Sequence, residues 1–193
     1  MIVAMHGLGD RPENFAGLFH ALQARARVVV LRGVEPWGEG WSWFPIGSAD
    51  DRPEGFRRGV DAIVASMAEY QRRHMTCGLP VVTGFSQGAM MSYALAARER
   101  AVVSAAVPIA GRLPTDFSPR PRAVGGLLPP IVSLHGTTDS RIAYDADRLT
   151  VERFRSVGFA VDFKTYEGVG HTITPVMHRD MSDALLANLP RCP

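Results

Sequence analysis

The segment 84–88 reads Gly-Phe-Ser-Gln-Gly and offers Ser86 as a nucleophile. Residues 80–83 before it predict a strand, and the pattern over 87–98 predicts a helix. A G-x-S-x-G sequence between a strand and a helix is typical of a tight turn that lifts the serine hydroxyl clear of the backbone. The N–H groups at the start of such a helix favour the oxyanion that forms when a serine attacks a carbonyl. An ordinary serine in a glycine-rich turn is the alternative interpretation.

A serine hydroxyl needs a general base, and His171 is our candidate for it. It follows the glycine-containing segment 168–170, just after the last predicted strand. The glycines allow a loop to carry an imidazole over the edge of a sheet. His178 is the rival, but it falls inside the predicted last helix. A solvent-exposed loop histidine is the alternative interpretation of His171.

The acid that orients the base is predicted to be Asp139, which follows the apolar strand 131–134. It stands between the serine and the histidine in the chain, and that order accompanies this type of turn. Its carboxylate would hold the base in one tautomer and stabilise the imidazolium. Asp145 and Asp147 compete for the role, but they suit the first turn of a helix. His135 suits a structural hydrogen bond at the end of its strand.

The loop 6–10 reads His-Gly-Leu-Gly-Asp and is the candidate oxyanion loop. One donor to an oxyanion is expected to be the backbone N–H after the nucleophile, that of Gln87. Gly7 and Gly9 allow the other loop to turn inward, which makes the Leu8 N–H the natural second donor. A glycine-rich turn that only leads into a helix would have much the same sequence.

Six short apolar segments alternate along the chain with helical periodicity. Alternation of this kind predicts one α/β domain over 1–193, with a mostly parallel sheet and helices on both faces. In such sheets ligands bind beyond the carboxyl ends of the strands, where the candidate residues above all lie. The predicted strands are 2–5, 28–31, 80–83, 102–109, 131–134 and 159–164.

Composition excludes several other classes of protein. The chain has 193 residues, 46% of them hydrophobic, and a formal net charge of +2, which argues against a nucleic-acid partner. No apolar run is long enough for stable membrane insertion, and no metal-binding motif is present. Cys77 and Cys192 lack metal-ligand spacing, and we expect Cys77 to be a small buried residue. We therefore expect a cytoplasmic protein, and oligomeric state stays open.

At this point the sequence resembles the phospholipase/carboxylesterase family of α/β-hydrolases, which includes the acyl-protein thioesterases. The resemblance implies a Ser86–Asp139–His171 triad, with Leu8 and Gln87 as oxyanion donors. It also implies hydrolysis of small-molecule esters or thioesters without a metal or other cofactor. Family members usually have one or two strands before the strand that leads into the loop 6–10, whereas this sequence begins inside that strand, so about six strands are expected here. No large cap domain is expected, because 193 residues leave no room for one. The motifs that carry the resemblance are 6–10, 43–44, 84–88, 135–139 and 166–171.

A long loop from Gly33 to about Arg52 contains all three tryptophans. Because it follows an early strand, we predict that Trp41, Trp43 and Phe44 form an acyl-pocket wall or a partial lid. The alternative is a loop folded over its own aromatic core. Leu128 could form another wall of the same pocket.

Other activities remain open from the sequence. Acyl transfer to an acceptor other than water, or other hydrolase chemistry at the same triad, would need the same residues. A catalytically silent binding protein with this fold is a further alternative.

Overall fold

The protein is described by a computed structural model that covers residues 1–23, 26–46, 52–121, 126 and 128–191. Its strands are β1 (Ile2–Met5), β2 (Val28–Leu31), β3 (Glu35–Trp37), β4 (Gly40–Ser42), β5 (Val81–Phe85), β6 (Ala105–Ile109), β7 (Ile131–Gly136) and β8 (Val161–Tyr166). Its helices are α1 (Pro12–Ala16), α2 (Arg52–Arg73), α3 (Gln87–Arg98), α4 (Tyr144–Ser156) and α5 (Pro175–Ala187). Two short 3-10 turns cover Gly17–Phe19 and Thr115–Phe117.

Six of the strands form one parallel sheet in the order β2-β1-β5-β6-β7-β8. The prediction of a six-stranded parallel sheet is therefore confirmed. All six strands run the same way, so the segments that follow β1, β5, β7 and β8 meet at one edge of the sheet. The candidate residues of the sequence analysis lie on those segments.

Helices cover both faces of the sheet, as predicted. Residues alternate in β1, with Val3 and Met5 packed into one core and Ile2 and Ala4 into the other. The first core is completed by α2, α3 and α4, and the second by α1 and α5. Because β1 is covered on both sides, its side chains are almost wholly buried, which accounts for its unbroken apolar sequence.

The start of the last helix follows its capping signal. The Thr174 hydroxyl accepts a hydrogen bond from the Met177 N–H, and Pro175 occupies the first turn, where its missing donor costs nothing. His178 lies on this helix with its Nε2 2.6 Å from the Leu18 carbonyl oxygen. His178, the rival candidate for the base, is therefore bonded to the 3-10 turn after α1, and its helix lies on the opposite face of the sheet from α3.

The aromatic loop is more regular than predicted. Strands β3 and β4 form a two-stranded antiparallel hairpin between residues 35 and 42. Residues 47–51 of this loop lie outside the described residues. The hairpin was missed because its strands are only three residues long and contain Pro36 and Gly40, which weaken the alternating pattern.

The cysteines differ from expectation. Cys77 is partly rather than fully buried and is disulfide-bonded, so the prediction of a small buried thiol is wrong. Cys192 lies outside the described residues. Disulfides are typical of oxidising compartments and rare in the cytoplasm, so this disulfide does not support the predicted cytoplasmic location, which stays a prediction.

Candidate active site

Ser86 occupies a strained turn between β5 and α3. Its backbone has φ 55° and ψ −113°, outside the common regions for a residue with a side chain. A Cβ at Gly88 would overlap the Met5 carbonyl oxygen, and one at Gly84 would overlap the backbone of Gly88. The two glycines therefore allow the turn to pack against β1, which explains why the motif needs them. The Ser86 N–H is satisfied by the Ile109 carbonyl at 2.9 Å.

Three side chains from three different loops form one hydrogen-bonded chain. Ser86 Oγ lies 2.9 Å from His171 Nε2, and His171 Nδ1 lies 2.6 Å from Asp139 Oδ2. The ring of His171 also packs against Phe85, with the ring centres 4.8 Å apart. Proton transfer from the serine to the imidazole is possible in this arrangement, with the carboxylate beside the opposite nitrogen.

The loops that carry Asp139 and His171 are bonded to each other. The Thr138 N–H donates to the Val169 carbonyl, and the Gly168 N–H donates to the Thr137 hydroxyl. A side chain at Gly136 would overlap the Val169 carbonyl, so the two loops can approach this closely only with glycine there.

Asp139 is held as a carboxylate by its own loop. Its Oδ1 accepts hydrogen bonds from the backbone N–H groups of Arg141 at 2.8 Å and Ile142 at 2.9 Å. Burial opposes ionisation of this carboxyl, but the bonds from His171 and the two amides outweigh it and hold its pKa below the usual value. Both oxygens are therefore occupied, and the one that faces the imidazole is oriented.

The two predicted oxyanion donors lie at the mouth of the same cleft. Leu8 and Gln87 both line it beside Ser86. Within the described part of the chain, neither backbone N–H has a protein acceptor. Their role stays a prediction, and their exposure to the cleft is compatible with it.

The loop that carries Leu8 is held by hydrogen bonds to the aromatic hairpin. The Gly9 N–H donates to the Trp41 carbonyl at 2.9 Å, and the Trp43 indole donates to the His6 carbonyl at 2.9 Å. His6 Nδ1 donates to the Gly7 carbonyl and Nε2 accepts from the Gly33 N–H. Burial lowers the pKa of His6, which favours this neutral form with one donor and one acceptor.

The Gln87 side chain has a structural function that the sequence analysis did not consider. Its Oε1 accepts from the Trp43 N–H at 2.9 Å, and its Nε2 donates to the Ser42 hydroxyl at 2.9 Å and the Phe44 carbonyl at 3.3 Å. Gln87, which follows Ser86, thus fixes the backbone of the aromatic loop at Trp43 and Phe44. The sequence signal for this role is a glutamine directly after Ser86, and its burial is visible only in the structure.

Replacing Gln87 with methionine tests this function. The variant keeps the volume and the backbone N–H but leaves the Trp43 N–H without its acceptor, whereas the Phe44 carbonyl keeps its bond from the Ser42 hydroxyl. We expect the free energy of unfolding to fall by about 1–3 kcal/mol, the usual cost of unsatisfied buried polar groups. Urea denaturation measures it, and Gln23→Met at a surface position serves as control. A stability equal to the unchanged protein would contradict the assignment.

The cleft in front of Ser86 has a volume of about 750 Å³. Its apolar wall contains Phe44, Ile46, Met90 and the 39% exposed side chain of Leu8. Of the four side chains predicted to contact substrate, Phe44 is the one that lines it.

The other three predicted contact residues lie elsewhere. Trp43 is 1% exposed and packs in the core beneath the loop. Trp41 pairs with Asp10 and has the Arg32 guanidinium 4.2 Å above its ring. Leu128 packs against the core, beside Gly158. Trp41 and Trp43 therefore hold the loop that carries Leu8 in place, and the residues after Trp43, beginning with Phe44, line the cleft.

A second buried polar network lies behind Asp139. His135 Nδ1 is 2.7 Å from Asp147 Oδ2, and the two oxygens of Asp147 also accept from the hydroxyls of Tyr93 and Ser133. His135 Nε2 lies 2.9 Å from the Ile142 carbonyl oxygen. Asp147 was considered only as a first-turn helix residue, yet it is fully buried on the inner face of α4.

This network favours the protonated form of His135, which lies next to the candidate triad. Burial disfavours the charged form of His135, but Asp147, the Ile142 carbonyl and Asp139 together raise its pKa. Its Nε2 is 3.6 Å from Asp139 Oδ2. Burial and the neighbouring Asp147 carboxylate raise the pKa of Tyr93 well above its usual value, so the phenol stays a donor.

Two features are absent from the described ranges: a metal-binding cluster and a membrane-spanning helix. No group of three or more His, Cys, Asp or Glu side chains there has a geometry that could hold a metal ion. Among the same residues, no helix combines the length and apolar character needed to cross a bilayer.

Known proteins with similar sequences and folds include thioesterases and carboxylesterases. Acyl-protein thioesterase 1 of Neurospora crassa is 24% identical over 215 residues, which cover 98% of this chain and 87% of that protein. A crystal structure of a Bacillus cereus carboxylesterase superposes with a TM-score of 0.81 at 15% identity, covering 98% of this chain and 88% of the other. Acyl-protein thioesterase 2 of Zea mays superposes with a TM-score of 0.75 at 24% identity, covering 98% and 93%.

These structural likenesses, all at low identity, support the α/β-hydrolase fold. The sequence profile of one family, described as phospholipase/carboxylesterase, matches residues 1–189, almost the entire chain. The chain therefore belongs to the phospholipase/carboxylesterase family.

Proposed function

We propose that this chain is a serine hydrolase that cleaves carboxylic esters and thioesters through an acyl-enzyme at Ser86. The observation that carries the proposal is the unbroken hydrogen-bonded chain from Ser86 Oγ through His171 to Asp139. Family membership supports the esterase and thioesterase class of reaction. Relatives named as a thioesterase and as a carboxylesterase support both thioester and ester bonds.

In the first half-reaction, His171 Nε2 takes the hydroxyl proton as Ser86 Oγ bonds to the carbonyl carbon. The carbonyl oxygen becomes an oxyanion and accepts hydrogen bonds from the Leu8 and Gln87 N–H groups. The imidazolium then gives its proton to the leaving alcohol or thiol as the C–O or C–S bond breaks. Asp139 keeps Nδ1 protonated throughout and stabilises the charged ring.

In the second half-reaction, a water molecule replaces the leaving group. His171 removes a proton from the water as its oxygen attacks the acyl carbon. The second oxyanion collapses, the bond to Ser86 Oγ breaks, and the proton on His171 returns to the serine. The products are a carboxylic acid and the free enzyme.

The cleft supports small or flexible acyl groups as substrates. It opens at the carboxyl edge of the sheet, its apolar side chains include Phe44 and Met90, and the described residues form no large inserted domain over it. A chain of a few carbons can pack against Phe44 and Met90, whereas a long chain would extend beyond them into solvent.

Hydrolysis of p-nitrophenyl esters from acetate to dodecanoate tests the proposal, together with labelling by a fluorophosphonate probe. We expect probe labelling at Ser86 and a rate that peaks at short chains. A peak at longer chains would favour lipid-derived or acyl-protein substrates. No turnover at any length and no labelling would sink the proposal and favour a silent binding protein. Added alcohols distinguish hydrolysis from acyl transfer, because a transferase would form new esters.

A further inference from the structure

Two arginine side chains belong to the lining of the cleft, together with its apolar residues. Arg112 follows β6, three residues beyond its last residue Ile109, and Arg141 lies in the loop that carries Asp139. Both are exposed, and both line the cleft together with Ser86. The backbone of Arg141 is fixed by its N–H bond to Asp139, so its side chain starts from the loop that carries the candidate acid.

Neither guanidinium has a carboxylate partner among the residues that the structure describes. Some other surface arginines have one, such as Arg148, which bonds to Asp145 and Glu152 on α4. What distinguishes Arg112 and Arg141 is that both line the same cleft as Ser86. Two unpaired arginines at a single cleft leave it with positive charge that the protein does not neutralise.

The surroundings of the pair add to this charge. Arg153 lies close enough to Arg112 that burial and the Arg112 charge together hold its pKa below the usual value. Its hydrogen bonds go to the Leu113 carbonyl and to the hydroxyls of Thr150 and Ser118, not to a carboxylate.

The acidic residue on the cleft lining offsets one of the two arginine charges, so the charged side chains of the described lining, two arginines and one aspartate, leave it net positive. Asp10 lies on the oxyanion-loop side, where its Oδ1 accepts from the Arg11 N–H and the Asn14 amide. The described lining of the cleft therefore combines apolar side chains with a cationic wall formed by Arg112 and Arg141, and Ser86 belongs to the same lining.

We propose that Arg112 and Arg141 bind a carboxylate or phosphate group carried by the substrate, so that the preferred substrates are anionic esters or thioesters. This inference rests on the proposed function. A guanidinium matches the geometry of both anions with paired N–H donors, and a neutral substrate would leave two such donor sets unused. A cationic substrate would be repelled by the same wall.

Matched ester pairs test the proposal and distinguish the position of the anion. For an anion on the acyl side, mono-p-nitrophenyl adipate is compared with p-nitrophenyl hexanoate, after subtraction of the enzyme-free rate. For an anion on the alcohol side, 1-butyrylglycerol 3-phosphate is compared with 1-butyrylglycerol. The measured quantity is the ratio of kcat/KM between the anionic and the neutral member of each pair.

We expect this ratio to exceed unity in at least one pair and to fall about fivefold in Arg112→Gln and in Arg141→Gln. It should fall about 25-fold in the double variant if the two sites act independently. The loss should lie mainly in KM, lysine variants should recover part of it, and added salt should reduce the ratio. Arg148→Gln, outside the cleft, is the control and should leave the ratio unchanged.

Two results would overturn the inference. If Ser86 is labelled and the neutral esters are hydrolysed, but the ratio is unity or is unaffected in the double variant, the arginines do not select anions and the proposed function stands. If no ester is hydrolysed and Ser86 is not labelled, the proposed function fails, and the substrate inference fails with it.

Discussion

Replacing Ser86 with alanine is expected to lower kcat for ester hydrolysis by a factor of about 10³ to 10⁶. The hydroxyl 2.9 Å from His171 is lost, and with it the only route to an acyl-enzyme in the proposed mechanism. Residual activity would come from substrate binding and oxyanion stabilisation alone. The measurement is steady-state hydrolysis of the best p-nitrophenyl ester, with probe labelling as a second readout.

The matched control for this variant is Ser92→Ala, on the same helix. Ser92 is buried, and its hydroxyl bonds only to the Gly88 carbonyl, so its loss should leave most of the activity. Thermal melts of both variants exclude a loss of fold as the cause. Ordinary turnover by the folded Ser86→Ala protein would rule out Ser86 as the nucleophile.

Replacing Asp147 with alanine is expected to cost about 3–5 kcal/mol of unfolding free energy, the range found when one partner of a buried ion pair is removed. The change leaves His135, Tyr93 and Ser133 without their shared acceptor in a fully buried position. Asp147→Asn keeps the shape and one acceptor oxygen, so its cost should be smaller. Urea denaturation under non-reducing conditions measures both.

The same network predicts how stability depends on pH. Because the folded pKa of His135 is raised, the folded protein holds a proton that the unfolded chain loses near pH 6.5. The unfolded state then binds fewer protons, so the stabilisation is fully present below that pH and is lost as pH rises through the folded pKa. The groups that face the imidazole are Asp147, Asp139, the Ile142 carbonyl and the Tyr144 ring.

Burial raises the pKa of Asp147 as well, which acts in the same direction because this carboxyl too keeps its proton to higher pH in the folded state. Asp139 acts in the opposite direction: its lowered pKa contributes stability that is lost as the medium becomes acidic. We therefore expect a decline of stability above neutral pH that is absent in Asp147→Ala. Asp145→Asn, exposed on the same helix, should keep it. An equal decline in both variants would contradict the argument.

The order and type of the elements that build the six-stranded sheet could be predicted from the sequence because their signals are local. The helix over 87–98 was predicted with the bounds that the structure has, since glycine and serine before it and apolar periodicity within it depend only on neighbouring residues. Ser86, Asp139 and His171 could be named for the same reason. Ser86 directly follows β5, Asp139 and His171 lie three and five residues beyond the ends of β7 and β8, and parallel strands bring these ends to one edge.

The tertiary structure alone decided which side chains meet over long sequence distances. Gln87 bonds to Trp43, 44 residues earlier, and Tyr93 bonds to Asp147, 54 residues later. Neither pair has a local signal, because a polar residue on a helix has the same neighbours in sequence whether its face packs inward or meets solvent. The first-turn position predicted for Asp147 is the one that the structure has, but its burial on the inner face of α4 had no local signal.

The lining of the cleft was decided in the same way. Sequence placed the tryptophans near Ser86, but the hairpin turns Trp43 into the core and presents Phe44 to the cleft. Arg112 and Arg141 are two of many arginines in the chain, and only the packing of their loops places both beside the nucleophile without acidic partners among the described residues. The sequence by itself was enough to propose the chemistry of this site, and the packing of distant loops determined the walls that a substrate would meet.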